Sequence, residues 1–250
     1  MKLRFQILLA VMAVWFFAGR AMAADVLTEF DAANKLYAEG KFADAAAVYE
    51  KILQSGATSP NLLFNYGNAE CKAGNWGRAI TAYRQAEQLA PRDADARANL
   101  EFARNQVQGP TSSANRWENG IETLTLNEWT ALVAVMFWLT FTLLAAMQIW
   151  PALKTALRGF TRGVAVVTIL SGVCCGAAVS IHVFQKTAVV IAPDLVARSG
   201  PFDDAQNVFT AHDGAEFVVL SRHGDWLQVT DNSGKIGWLE RRQVEILSGI

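Results

Sequence analysis

The stretch that most limits this chain is residues 129–184. Trp129–Trp150 runs 22 residues without Asp, Glu, Lys, Arg or His. Gly163–Phe184 is a second run of 22, with two cysteines and His182 as its titratable side chains. A helix needs about 20 mostly apolar residues to cross the hydrocarbon core of a bilayer, and both runs are long enough. Between them lies PALKTALRGFTR, with Lys154, Arg158 and Arg162 and no acidic residue. Short basic loops are held on the cytoplasmic side. The pattern predicts a two-helix transmembrane hairpin, 129–150 and 163–184. Its loop, 151–162, is cytoplasmic, and both flanking regions lie on the opposite face.

The chain is 52% hydrophobic and 18% charged, a skew that two such spans largely explain. Formal charge is −1, yet basic residues gather in the leader and the hairpin loop, which leaves both outer regions mildly acidic. Nucleic-acid binding needs a basic surface, so that partner class is excluded. Residues 1–23 read as a signal peptide: Lys2 and Arg4, an uncharged run from Phe5 to Gly19, then Ala21-Met22-Ala23. Cleavage is expected after Ala23. Arg20, close to the cut, keeps an uncleaved anchor open, and either form exports the region from Ala24 onward. Cys71, Cys174 and Cys175 show neither disulfide nor metal-ligand spacing and read as packing residues.

Residues 24–108 repeat at an offset of 34. Ala33 falls on Gly67, Asn34 on Asn68, Gly40 on Gly74, Phe42 on Trp76, Ala45 on Ala79 and Tyr49 on Tyr83, and Pro91 closes the second unit. This resembles the tetratricopeptide repeat, a helix–turn–helix unit of that length. A third amphipathic helix, Asp93–Val107, is expected to cap the stack. The resemblance implies a groove lined by the first helix of each unit, with Asn34, Asn68 and Lys72 facing a bound peptide. Solvated polar positions would look the same, and on either reading replacing the asparagines is expected to move stability by less than about 0.5 kcal/mol. Phe30 and Asp95 stand where one subgroup of the family carries basic residues, so that subgroup's carboxylate clamp is not expected here.

Residues 109–128 form a linker that opens with Gly109-Pro110-Thr111-Ser112-Ser113. Trp117, Ile121, Leu124 and Leu126 suggest a short interfacial segment. Thr125 and Glu128 are spaced as a capping box for the first span. In the second span Gly172 and Gly176 form a G-x-x-x-G, which lets helix backbones meet closely; the first span is its natural partner, and a second protein is the alternative. His182, near the end of that run, reads as an interfacial residue rather than a proton relay.

From Lys186 the period becomes two. Strands are expected at 188–191, 195–198, 206–210, 216–221, 226–230, 236–239 and 244–247, separated by turn signals such as His212-Asp213-Gly214 and Asn232-Ser233-Gly234. Many short strands in so few residues suggest a small all-β barrel. Val196-x-Arg198-Ser199-Gly200-Pro201, Gly224-Asp225-Trp226-x-x-Val229 and Gly237-Trp238-Leu239 resemble a bacterial SH3-type domain over 185–250. Trp226 and Trp238 are expected in its core or at a groove edge. The resemblance implies binding of cell-wall peptides or of proteins.

His212 and His223 with Asp213 and Asp225 invite a metal or triad reading. Both histidines sit in apparent hairpin turns, and no nucleotide-binding or nucleophile motif accompanies them. The chain is expected to be no enzyme and to need no cofactor or metal. The expected fold class is a multidomain membrane protein: an all-α helical repeat domain, a two-helix hairpin and an SH3-like barrel. This order resembles the Bat proteins of the aerotolerance operon, in their BatE-type arrangement. The resemblance implies a scaffold in the bacterial inner membrane with both large domains periplasmic. It further implies von Willebrand-type Bat proteins and a MoxR-type ATPase as partners. The alternative is a cell-wall sensor or anchor whose SH3-type domain binds peptidoglycan.

Overall fold

The structure is a computed structural model that describes residues 26–111, 120–121, 123–181 and 186–247. The leader, Trp117 and His182, each the subject of a sequence-based expectation, lie outside the described residues.

Four helices pair into two units and a fifth comes after them: α1 (residues 26–38), α2 (Phe42–Gln54), α3 (Pro60–Ala73), α4 (Trp76–Leu89) and α5 (Ala94–Arg104). Local chemistry sets their ends. Ser59 Oγ accepts from the Leu62 amide, and Pro60 occupies the first helical turn, where its missing N–H has no bond to lose. Asp93 caps α5 by accepting from the Asp95 and Ala96 amides. Within each unit the helices meet at small residues. A Cβ built on Gly67 would lie 2.7 Å from the ring of Tyr83. Tyr49, Ile52, Leu62, Ala33 and Ala69 fill the first layer, and Ile80, Tyr83 and Leu100 fill the second.

Two apolar helices come next, α6 (Leu126–Ile149) and α7 (Lys154–Val179). The capping box is present at the start of α6: Thr125 Oγ1 accepts from the Glu128 amide, and the Glu128 carboxylate accepts from the Thr125 amide. The connection is shorter than the sequence suggests. Only Trp150 and a 3₁₀ turn, Pro151–Leu153, separate the two helices, and residues 154–162 are helical rather than loop. Pro151 stops α6 because it lacks an N–H and biases the preceding residue toward extended backbone. KTALRGFTR contains no comparable breaker. Lys154, Arg158 and Arg162 therefore fall at i, i+4 and i+8, on one side of α7. The G-x-x-x-G does not serve the contact expected of it: a Cβ on Gly172 or Gly176 would meet nothing within 4 Å. The two helices are joined by hydroxyls instead. Thr140 and Thr168 Oγ1 lie 2.9 Å apart, Thr168 Oγ1 donates to Met136 O, and Thr161, Ser171 and Ala178 are buried. Thr140 Oγ1 donates back to its own helix, to Met136 O, so the two hydroxyls approach without leaving a polar group unpaired.

The C-terminal region is one antiparallel sheet: β1 (Thr187–Val190), β2 (Asp194–Arg198), β3 (Asn207–His212), β4 (Glu216–His223), β5 (Trp226–Thr230), β6 (Ile236–Glu240) and β7 (Val244–Leu247). The ladder order is β3-β2-β6-β5-β4-β1-β7. It does not close into the expected barrel among the described residues, but it curls: Phe209 of β3 stacks on Phe217 of β4 at 5.6 Å across one core. Alternation is clean in β5, where Leu227 and Val229 are buried and Trp226, Gln228 and Thr230 are half-exposed.

The sheet packs directly on the repeats. Val189 and Leu247 join Ile80, Tyr83, Leu100 and Ala103 in a single apolar cluster. Asp213 caps α4, accepting from the Trp76 and Gly77 amides at 2.7 and 3.1 Å, where Asn75 makes no capping bond of its own. Burial pushes the Asp213 carboxyl up, and those two amides pull it the other way. Glu216, its side chain fully buried, accepts from Arg84 Nη1 at 2.8 Å and from Arg104 Nε at 2.7 Å. Gly77 makes this approach feasible: a Cβ there would lie 2.0 Å from the Val190 carbonyl oxygen.

These contacts predict two outcomes. Gly67→Leu overpacks the α3–α4 contact and costs about 1–3 kcal/mol, read as a lower thermal midpoint of the full chain. Gly77→Ala strengthens an isolated helix by about 1 kcal/mol on propensity alone. In the intact chain the same change loosens the sheet from the repeats and lowers stability. Faster amide exchange at Trp76 and Gly77 reports the loosening, and a raised midpoint would count against the close approach.

Candidate functional site: an asparagine ladder on the first helices

Asn34 lies on α1, Asn65 and Asn68 on α3, and Asn99 on α5. Asn34 Oδ1 accepts from Tyr49 Oη at 2.6 Å and from Asn65 Nδ2 at 3.1 Å. One repeat later, Asn68 Oδ1 accepts from Tyr83 Oη at 2.8 Å and from Asn99 Nδ2 at 2.8 Å. The same trio, Asn, Tyr and Asn, recurs at the same offset, so one polar unit is built twice and ties each first helix to the next.

The chemistry assigns the amides. Burial pushes both phenols up, with Cys71 adding to the effect at Tyr83, so both stay protonated and donate. Each Asn oxygen has two lone pairs and two donors, which fills it. The Nδ2 groups of Asn34 and Asn68 make no hydrogen bond among the described residues and remain able to donate. All four asparagines are half-buried. The site therefore offers amide donors, one repeat apart, to carbonyl or carboxylate oxygens. Lys72, in the last turn of α3, is exposed and makes no ion pair among the described residues, so it adds a free positive charge at one end. The sheet covers α4 and the end of α5 and makes no hydrogen bond to the ladder.

The sequence pattern singles out Asn34, Asn68 and Lys72 and passes over Asn65 and Asn99, which the ladder adds. They too are 34 residues apart, and this second asparagine register was the available signal. Asn34 and Asn68 are also less free than solvated positions would be, since each holds a tyrosine hydroxyl.

Trp226 and Trp238 do not join the sheet's core cluster, which is built from Phe217, Leu227, Val229, Leu239 and their neighbours. Both are half-exposed on the opposite face, because they alternate with the buried residues of β5 and β6. Arg198, paired with Trp238 across β2 and β6, places its guanidinium 5.9 Å from the centre of the Trp226 ring. The four residues behind the metal or triad reading do not converge. His212 pairs with Asp194, Asp213 caps α4, and His223 lies opposite Trp226 at the β4–β5 turn.

Residues 36–101 match the family model for the tetratricopeptide repeat, and residues 192–245 match that for the bacterial SH3 domain. No curated protein matches the chain. The chain thus carries a tetratricopeptide-repeat region and a bacterial SH3 domain, with two apolar helices between them. Modules of these two kinds bind proteins or peptidoglycan.

The ladder separates two substitutions that look alike. Asn34→Ala with Asn68→Ala strands the Tyr49 and Tyr83 hydroxyls, at a cost of roughly 1–3 kcal/mol each, and lowers the thermal midpoint. Asn34→Asp with Asn68→Asp keeps an acceptor for each phenol but presents a carboxylate where an amide donor stood. The Asp pair is expected to keep the midpoint near wild type while offering no amide donor at either position. An Asp pair that melts with the Ala pair would show that the ladder is not built this way.

Proposed function

We propose that this chain is a non-enzymatic membrane adaptor. Helices α6 and α7 cross the bilayer as a hairpin, and the docked repeat–SH3 unit is presented on one side of it. The unit binds a protein partner through the amide donors of Asn34 and Asn68, with Lys72 attracting acidic character at one end. The observation that carries this reading is the pair of unpartnered Nδ2 groups on helices that the sheet leaves uncovered. It is supported by the helices' composition: α6 and the segment Pro151–Val179 have mean hydropathies of 2.1 and 1.8 over their most apolar windows. Such helices are stable with their apolar sides outward only in lipid or against another protein. Lys154, Arg158 and Arg162 at the turn favour the cytoplasm for that end and the periplasm for the unit. The order of parts resembles the BatE-type Bat proteins, and on that resemblance the partners are von Willebrand-type Bat proteins and a MoxR-type ATPase system.

A second reading is favoured by the face bearing Trp226 and Trp238, both half-exposed. Half-exposed aromatics on one face stack on sugar rings, which suits peptidoglycan. Binding of the full chain to purified sacculi, lost in Trp226→Ala with Trp238→Ala, would favour this reading. Partner capture lost only in the Asn-to-Asp pair favours the adaptor.

Topology is checked by alkaline phosphatase fusions after Gln108, after Leu157 and at Ile250. The first and last are expected to be active and the middle one silent. The reverse pattern overturns the orientation.

A further inference from the structure

Lys186, Arg222 and Arg241 come together from three parts of the sheet region around one cavity of about 510 Å³. The cavity floor is apolar: Leu227 is buried, and Val219 and Ile246 are half-buried. Lys186 is held at the edge of β4, where its carbonyl accepts from the Val219 amide at 2.8 Å. Arg222 is oriented by Nε donating to Gly224 O at 3.0 Å, which leaves its terminal amino groups available. The Arg241 amide donates to Asp225 O at 2.8 Å, which fixes that residue's backbone. None of the three cations has a carboxylate partner among the described residues, in a region that is otherwise net acidic. Three unpaired cations over an apolar floor match a ligand with an anionic head and a greasy body.

Position selects the source of that ligand. Lys186 lies five residues beyond Ile181, the last described helical residue after α7, a span of at most about 18 Å when fully extended. The cavity is thus tethered next to the end of the hairpin where both apolar helices meet the folded unit. The polar layer outside the hydrocarbon core is roughly 5–8 Å deep on each side. If the hairpin lies in a bilayer, the tether holds the cavity at or just above the headgroups.

We propose that this cavity holds the phosphate of an anionic phospholipid, with Lys186, Arg222 and Arg241 on the phosphate and Val219, Leu227 and Ile246 against the glycerol end. The site rests on the membrane reading proposed for α6 and α7, and it binds the docked unit down onto the bilayer rather than leaving it on a loose stalk.

The test uses the full chain in nanodiscs of neutral phosphatidylcholine doped with phosphatidylglycerol that carries a photoreactive headgroup. Cross-links are mapped by peptide mass. Wild type is expected to be labelled at 219–222 and 241–246. Each cation removed weakens headgroup binding by about fivefold, so Arg222→Gln with Arg241→Gln raises the half-saturating phosphatidylglycerol about 25-fold. Arg222→Lys with Arg241→Lys keeps most labelling, which excludes simple misfolding. Labelling displaced by millimolar inorganic phosphate would overturn the lipid as occupant in favour of a soluble phosphate. A chain that enters neutral nanodiscs but is labelled elsewhere, or equally in the Gln variant, overturns the site alone. A chain that does not enter nanodiscs overturns the membrane reading and the site together.

Discussion

The arrangement depends on one buried carboxylate. Glu216 begins β4, and its side chain is fully covered between Arg84 of α4 and Arg104 of α5. A charge taken out of water costs several kcal/mol unless it is paired and hydrogen-bonded, and removing one partner of such a group costs about 3–5 kcal/mol. Glu216 therefore does little to favour folding in itself, but it makes one docking geometry far better than its neighbours. Around it the contact is apolar, through Val189, Leu247, Ile80 and Leu100. At one edge lies a second polar contact, Asp213 on the amides of Trp76 and Gly77. In β7, Glu245 is pushed up by burial, with Thr81 and Arg78 acting the other way and Glu50 and Glu70 adding to the rise. A carboxylate with a raised folded pKa binds its proton more tightly in the docked state. Its contribution is therefore most favourable at acid pH and is lost as pH rises through the folded value.

This docking turns two modules into one body, and that changes what the repeats can do. Helix α4 and the end of α5 are given to the sheet. The asparagines of α1 and α3 keep amide donors free among the described residues. The tyrosines join the two sides: Tyr83 packs in the cluster that meets the sheet, and its hydroxyl fixes Asn68. The residues that hold the body together also orient the donors it presents.

Much of the architecture was legible because its signals are local. Gly40, Gly74 and Pro91 punctuate the helices, alternation marks the strands, and β5 and β7 fall where the pattern places them. Thr125 and Glu128 needed only each other. What was not legible depends on residues far apart. Nothing around Asp213 says that it caps a helix 137 residues earlier, and Gly77 reads in isolation as a weakness in α4 rather than a place for a carbonyl. Gly172 and Gly176 misled for the opposite reason: their local signal was strong, but the short turn at Pro151 sets a register in which threonines meet instead. Trp226 and Trp238, expected in the core or at a groove edge, lie outside the core cluster, on the face that the alternation around Leu227 and Leu239 assigns them.

The linker is also pinned to the sheet, with the Glu216 amide donating to Pro110 O and Asn232 Nδ2 donating to Thr111 O. The hairpin is thus an insertion within a single folded body, and its synthesis interrupts that body. Arg104 and Glu216 are 112 residues apart. At about 5–20 residues per second, a ribosome needs roughly 6–22 s to pass from one to the other. For that interval the repeats exist with Ile80 and Leu100 uncovered and with Arg84 and Arg104 lacking their carboxylate. The two apolar helices leave the ribosome during the same seconds, so the protein's least soluble segments and its most exposed surface coincide in time.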